Sequence, residues 1–349
     1  MDKKKWEQEN VLRLVKKSRK GVLRVVFSRF GLMALLLILE LVLLWMMWRW
    51  FNNDFEWFAA AQGVFTVLMF FHLFNSDMDA TGKLTWMFLL AVIPIPASIF
   101  LWFTEKDVGH RTLKRRVQQR IDESRDLLHQ DPEVLRDPEI ESSGTDDLCR
   151  YLNRSGSFPL YANTETKFFP QGEDKFAALL EELQKAEKFI FLEYFIIDEG
   201  YMWGSILKIL ADKAAQGVDV RVLYDGMLEI STLPWDYPRR LEKLGIRCKA
   251  FAPIQPFLST HYNYRDHRKI LVIDGKAAFT GGVNLADEYI NRKERFGHWK
   301  DTAILLRGEA VWSMTVMFLS MWDYCSGWEE DFDLFRPESM PRLPGSGWV

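Results

Sequence analysis

Cysteine is scarce in this sequence. Three occur in 349 residues, Cys149, Cys248 and Cys325, far apart and without the CxxC or Cys/His spacing that zinc sites use. Nothing in them calls for an oxidising compartment, a structural metal or a cofactor, and buried thiols are the simpler reading. A cleavable leader is not expected either, because thirty largely basic and polar residues precede the first long apolar run and no small-residue cleavage site closes it. No internal repeat is visible, which bears on the chemistry below. Net charge is small, at −3, but this hides an asymmetry. Residues 1–30 carry ten Lys/Arg against three Asp/Glu, while residues 121–149 carry ten Asp/Glu against two Lys/Arg. One end suits anionic surfaces and the other does not.

Long apolar runs are what the sequence has in excess. "GLMALLLILELVLLWMMW" (31–48), "WFAAAQGVFTVLMFFHLFN" (57–75) and "LTWMFLLAVIPIPASIFLWF" (84–103) each match the ~17–25 residues needed to cross a bilayer. Glu40 in the first run costs about 3 kcal/mol at mid-membrane, which its ten Leu/Ile/Val offset. Pro94 and Pro96 predict a kink in the third. Two to three transmembrane helices are therefore expected over 31–104, placing the chain as a multi-pass membrane protein. Basic flanks before the first run and after the third fall on opposite sides if all three cross, so one run is re-entrant or interfacial, or one flank breaks the positive-inside rule. Residues 1–30, with Arg13, Lys16, Lys17, Arg19, Lys20, Arg24 and Arg29, read as a basic amphipathic segment on anionic lipid, with a solvated charged arm as the alternative.

Residues 105–150 read as a charged linker, acidic and Pro/Ser-containing in its second half. A lobe follows over 151–332. "KFAALLEELQKAE" (175–187) has helical apolar spacing, "KFIFLEYFII" (188–197) is a β-type run, and "SILKILADKAAQG" is a helix ended by Gly217. "VDVRVLYDG", "YPRRLEKLG" and "IRCKAFA" continue the alternation, which argues for an α/β sandwich with a buried sheet. Residues 333–349 read as a Pro/Gly-rich, connector-like tail.

The chemistry concentrates in "DHRKILVIDGKAAFTGGVNLADEY" (266–289). As a strand, it puts His267 and Lys269 on one face and Ile270 and Val272 on the other. Asp274 and Gly275 make a turn, so that "KAAFTGG" returns as a hairpin partner. Gly281 and Gly282 let the backbone approach a ligand, and Asn284 brings back an amide donor. A neutral imidazole can attack phosphorus while a lysine and an asparagine hold the non-bridging oxygens, so this set supports phosphodiester transfer without a metal.

The full spacing, His-x-Lys, four residues, Asp, six residues, Gly-Gly-x-Asn, resembles the signature of the phospholipase D superfamily. "LEYFIIDEG" (192–200), "GVDVRVLYDG" (217–226), "HWKDT" (298–302) and "MWDY" (321–324) resemble the first catalytic lobe of bacterial cardiolipin synthases, and the apolar segments ahead of it fit as well. The likeness runs from about residue 57 onward. It implies an α/β fold with N-terminal transmembrane helices followed by one phospholipase D-like α/β/α sandwich lobe. It also implies His267 as the phosphohistidine-forming nucleophile, Lys269 and Asn284 as phosphate ligands together with Gly282, and Asp274 as a supporting residue. Glu193 falls where the family places an acidic residue near the site, the competing reading being a strand-end carboxylate paired with a surface lysine.

The implied reaction makes cardiolipin and glycerol from two phosphatidylglycerols, with anionic phospholipids and the membrane as partners and no nucleic acid. The family mechanism uses two histidines, because one imidazole cannot be neutral nucleophile and cationic acid in one step. Only one complete motif is present, since Leu305 stands where a repeat beginning at His298 would need aspartate. A second catalytic lobe is thus expected, either from a missing C-terminal half or from a homodimer partner. A phospholipase D-type hydrolase and a catalytically incomplete lipid-binding membrane module are the alternatives.

Overall fold

Strand order places the site. The computed structural model describes residues 11–14, 29–50, 55–106, 108–137, 140, 142, 144–253, 264–337, 343 and 347–349. Its strands are β1 (Thr164–Phe169), β2 (Phe189–Tyr194), β3 (Asp219–Asp225), β4 (Arg247–Phe251), β5 (Lys269–Ile273), β6 (Ala277–Gly281) and β7 (Ala303–Gly308). They form one sheet in the order β1-β7-β6-β5-β2-β3-β4. β2, β3 and β4 run parallel, and the remaining ladders are antiparallel. Parallel neighbours need a crossover, which the helix Tyr201–Ala215 supplies between β2 and β3 and the short helix Tyr237–Glu242 between β3 and β4.

β2 and β5, "FIFLEY" and "KILVI", are buried along their whole length, as central strands covered on both faces must be. Ile190, Leu192, Tyr194, Leu271 and Ile273 face a core closed by the helices Gly172–Gln184 and Tyr201–Ala215. Phe191, Ile270 and Val272 face a second core closed by the helix Val311–Ser326. The expected α/β/α sandwich is found. Each large apolar side chain so buried contributes about 1.5–3 kcal/mol, which fixes the strand register, because a one-residue slip would exchange the two faces.

The chain divides into two units, Arg19–Arg111 and the remainder, Met1–Ser18 with Thr112–Val349. In the first unit the helices Arg29–Trp50 and Phe55–Phe74 occupy the first two apolar runs. The third run is not one kinked helix but two of 13 residues, Ala80–Val92 and Pro94–Lys106. Ile93 between them leaves the helical region (φ −136°, ψ 69°), the conformation a following proline enforces. Among the described residues no helix is long and apolar enough to cross a membrane. The two to three transmembrane helices expected over 31–104 are thus not found among them.

Residues 1–10 and 15–28 of the basic segment lie outside the described residues, and Val11–Leu14 is not helical, with the Leu12 N–H donating to Gly204 O at 3.0 Å. The 105–150 linker contains the helices Val108–Glu123 and Asp146–Gly156, and Leu113 and Val117 of the former are buried in the second core. The tail returns to the lobe, where Val349 and Tyr161 exchange backbone hydrogen bonds of 2.9 Å.

β5 and β6 form the expected hairpin. Asp274 (φ 53°) and Gly275 (φ 65°) both take left-handed backbone, and the Lys276 N–H donates to Ile273 O at 2.9 Å, a turn of the kind that suits twisted hairpins. The Asp274 carboxylate accepts from the backbone N–H groups of Glu187, Lys188 and Phe189, each at 2.8 Å, and so ties the hairpin to the start of β2. Replacing it with alanine leaves three N–H groups without their acceptor. Asp274→Ala is expected to lower unfolding free energy by about 3 kcal/mol, and Asp274→Asn by less, in denaturant titrations of the purified chain.

Candidate active site

One end of the sheet gathers the reactive residues. Tyr194 at the end of β2 pairs with Lys269 at the start of β5, and Gly281 at the end of β6 pairs with Ala303 at the start of β7. His267 stands two residues before β5 rather than within it, exposed, with its ring 4.6 Å from that of Phe195. Lys269 is buried, with 4% exposure, and its Nζ lies 3.1 Å from His267 Nδ1 while donating to the His267 carbonyl at 2.6 Å. Burial, then the Lys269 charge, lowers the His267 pKa below its ordinary value, which favours the uncharged ring. Burial likewise lowers Lys269, against the pull of Asp266 and Asp301.

Arg268 points to the opposite face, as strand alternation requires. It pairs with Glu193, which is wholly buried, and its Nε donates to Asp266 at 3.2 Å. Burial pushes Glu193 well above the usual carboxylate range, with Arg268 opposing. Asp225 accepts from the Asp266 backbone N–H (2.9 Å) and from Arg265 (3.3 Å), fixing the segment just ahead of His267. Glu193 therefore neither meets a surface lysine nor reaches His267, and it acts through Arg268.

The other expected residues sort differently. Asp274 lies seven residues from His267 along the strand direction, roughly 20 Å at ~3.3 Å per residue, so its supporting role is structural and exercised from the far end. Asn284 is buried, its Oδ1 accepting from Ile196 N–H and its Nδ2 donating to the Tyr289 hydroxyl, both at 2.9 Å. It holds the loop that carries Phe195, which leaves one amide N–H for any ligand. The Gly282 N–H donates to Thr302 O at 2.9 Å, and a Cβ at Gly282 would meet Asp301 Oδ1 at 1.9 Å, so the glycine makes room for that carboxylate.

Two residues of this neighbourhood escaped the sequence reading. Asp301 was quoted only within "HWKDT", yet its charge acts on both Lys269 and Lys175. Lys175, in the first turn of the helix Gly172–Gln184, has 1% exposure and donates to the Tyr194 hydroxyl (3.2 Å) and to Val283 O (3.1 Å), inside the Gly-Gly-x-Asn segment. Its signal was helical phase, since it shares the apolar face with Leu179 and Leu183.

Comparison with known proteins adds a family match and several relatives. Residues 179–322 match the family described as "Cardiolipin synthase, PLD-like domain". The cardiolipin synthase of Alkalihalophilus pseudofirmus is 35% identical over 293 residues, 82% of this chain and 58% of that protein. Over residues 179–322 the chain is thus similar to the PLD-like domain of cardiolipin synthases. An uncharacterized protein of Streptococcus mutans is 50% identical over 278 residues, 80% of this chain and 60% of its own length. The chain spans about three-fifths of the length of these relatives. Among solved structures, NucT from Helicobacter pylori covers 46% of this chain and 98% of its own at 14% identity, with a TM-score of 0.37, too slight a likeness to add to this.

Burial lowers Lys175 from 10.5 to about 7. Its folded pKa lies below the unfolded one, so between about pH 7 and 10.5 the unfolded chain binds more protons and stability rises with pH. The span corresponds to roughly 5 kcal/mol. Lys175→Met is expected to flatten that alkaline rise, read as the difference between the two proteins' unfolding free energies from pH 7 to 10.5.

Proposed function

We propose that this chain carries one half of the active site of a membrane-bound phosphatidyltransferase of the cardiolipin synthase type. The observation that carries the reading is the exposed imidazole of His267 held against the Lys269 amine. With the Lys269 ammonium donating to Nδ1, the imidazole proton sits on Nε2. When a lipid phosphate arrives, Lys269 turns to a non-bridging oxygen and frees Nδ1 to take that proton, leaving the Nε2 lone pair for attack. The N–P bond forms, the bond from phosphorus to the head-group glycerol oxygen breaks, and glycerol leaves with a proton from a second imidazole. The free hydroxyl of a second phosphatidylglycerol then displaces His267, returning a proton to that imidazole. Two phosphatidylglycerols give cardiolipin and glycerol.

The second imidazole belongs to another catalytic lobe, contributed by a longer form of the chain or by a second copy. Relatives that extend well beyond this chain's matched length support the former. Attachment to the bacterial cytoplasmic membrane through the 19–111 unit belongs to the same reading. Exposed Leu37, Leu41, Trp45, Val64, Leu68 and Phe71 support it, since water covers such side chains poorly and lipid covers them well. A second reading follows from the exposure of His267. Water that reaches the covalent intermediate makes the protein a hydrolase, with phosphatidic acid as product.

Expression of the chain, alone and with a second lobe in trans, in a host lacking its own cardiolipin synthases tests this by lipid mass spectrometry. Cardiolipin is expected when both histidines are supplied, with a loss of roughly 10³-fold or more in His267→Ala. Phosphatidic acid in its place identifies the hydrolase, and no His267-dependent product under any pairing removes the reading.

A further inference from the structure

The site end of the lobe carries two exposed aromatic rings, each under an arginine. Phe296 is 78% exposed, and the Arg295 guanidinium lies 5.1 Å from its centroid. Trp235 is 73% exposed, with Arg239 at 5.7 Å. Both lie at the end that carries His267. The Phe296 loop runs from Asn291 to Asp301, directly ahead of β7, whose first residue pairs with Gly281. It is closed by Asn291, whose side chain bonds both the Trp299 carbonyl (2.9 Å) and the Trp299 N–H (2.6 Å). The Trp235 loop follows β3 and is tied to the segment after β2, because the Thr232 hydroxyl donates to Ile197 O at 3.1 Å and the Tyr237 hydroxyl to Glu199 at 3.0 Å.

Charge on the Phe296 loop is net positive. Arg292, Lys293, Arg295 and Lys300 are exposed there against exposed Glu294 and half-buried Asp301, in a chain whose net charge is −3. Lys293 and Arg295 also neutralise the buried Glu288, so they serve the fold as well. Amphipathic rings beside cations suit the zone between anionic headgroups and acyl chains, where the ring enters and the cation stays with phosphate.

We infer that this end of the lobe is an interfacial face that seats on an anionic bilayer, with Phe296 and Trp235 as wedges and Arg239 and Lys300 as headgroup contacts. The inference rests on the phosphatidyltransferase reading and adds to it how a lipid phosphodiester reaches His267, namely with the lobe resting on the leaflet that holds the substrate.

The test uses the full chain with Phe296→Cys in a Cys149→Ser, Cys325→Ser background, labelled with an environment-sensitive fluorophore; Cys248 is buried and stays. The protein is reconstituted in phosphatidylcholine vesicles with or without phosphatidylglycerol. A blue shift and quenching by lipid-borne doxyl groups are expected only with phosphatidylglycerol. Lys300→Ala and Arg239→Ala should each lower the docked fraction roughly fivefold, the ratio that one cation near an anionic surface supplies. A label at exposed Glu309, beyond the opposite end of β7, should not respond. No shift with phosphatidylglycerol, an equal shift at Glu309→Cys, or a shift that follows protein density rather than phosphatidylglycerol content would each overturn the inference, the last by making this a protein–protein face. His267→Ala in the labelled chain separates the two ideas. The shift is expected to survive when transfer is lost, and transfer without any shift would sink the interface and leave the chemistry.

Discussion

The site depends on the ion pair between half-buried Arg268 and wholly buried Glu193. A strand sends successive side chains to opposite faces, so a residue held on one side fixes both of its neighbours on the other. Arg268 is held on the side of the second core by Glu193 and Asp266, and its Nη1 also donates to Met317 O on the covering helix at 3.4 Å. His267 and Lys269 are thereby committed to the opposite side. Truncating one partner of such a pair leaves an uncompensated buried charge, a penalty of several kcal/mol. Asp225, with hydrogen bonds from the Met227 and Asp266 backbone and from Arg265, extends the same control to the segment that leads into β5.

On the reactive side the constraint is excess positive charge in a confined space. Lys175 and Lys269 repel one another, and both are held by burial below the ordinary lysine range. Asp301, packed over Gly282, is the carboxylate that relieves both. This concentration of donors with few acceptors is poor for the empty lobe and suited to an arriving phosphodiester, which brings the missing negative charge. Burial and the Lys269 charge lower the His267 pKa as well, since a proton added there would join that cation.

Much of this was legible in the chain. Period-two and helical spacing gave the sandwich, and the "DG" turn gave the hairpin, because local backbone preference and burial agree there. The juxtaposition of His267 with Lys269 followed from alternation alone. What the sequence did not carry was distance along the strand. Asp274 shares a motif with His267 yet works at the other end of β5, and a linear pattern does not separate the two roles. The partner of Glu193, Arg268, sits across a strand pair, where only register could reveal it. Lys175 was passed over as an ordinary helix residue, although its phase put it inside. The 105–150 segment was assigned by composition, and tertiary burial of Leu113 and Val117 overrode it.

Within the reading proposed above, the same electrostatics show why one lobe supplies only half of the reaction. The leaving glycerol oxygen needs a proton at the moment His267 attacks, and the groups that make the imaginable donors are already engaged. Lys269 is committed to the phosphate oxygens. Lys175 lies beneath the surface on Tyr194 and Val283, too enclosed to reach an oxygen above His267. A second imidazole built into this cluster would be pushed towards neutrality by the same two lysines and could not serve as the acid. The acid must therefore face His267 from across the substrate, in surroundings with a different charge. An open sheet end with an exposed nucleophile leaves room for that, and the division of labour between two lobes follows from the incompatibility of the two pKa values.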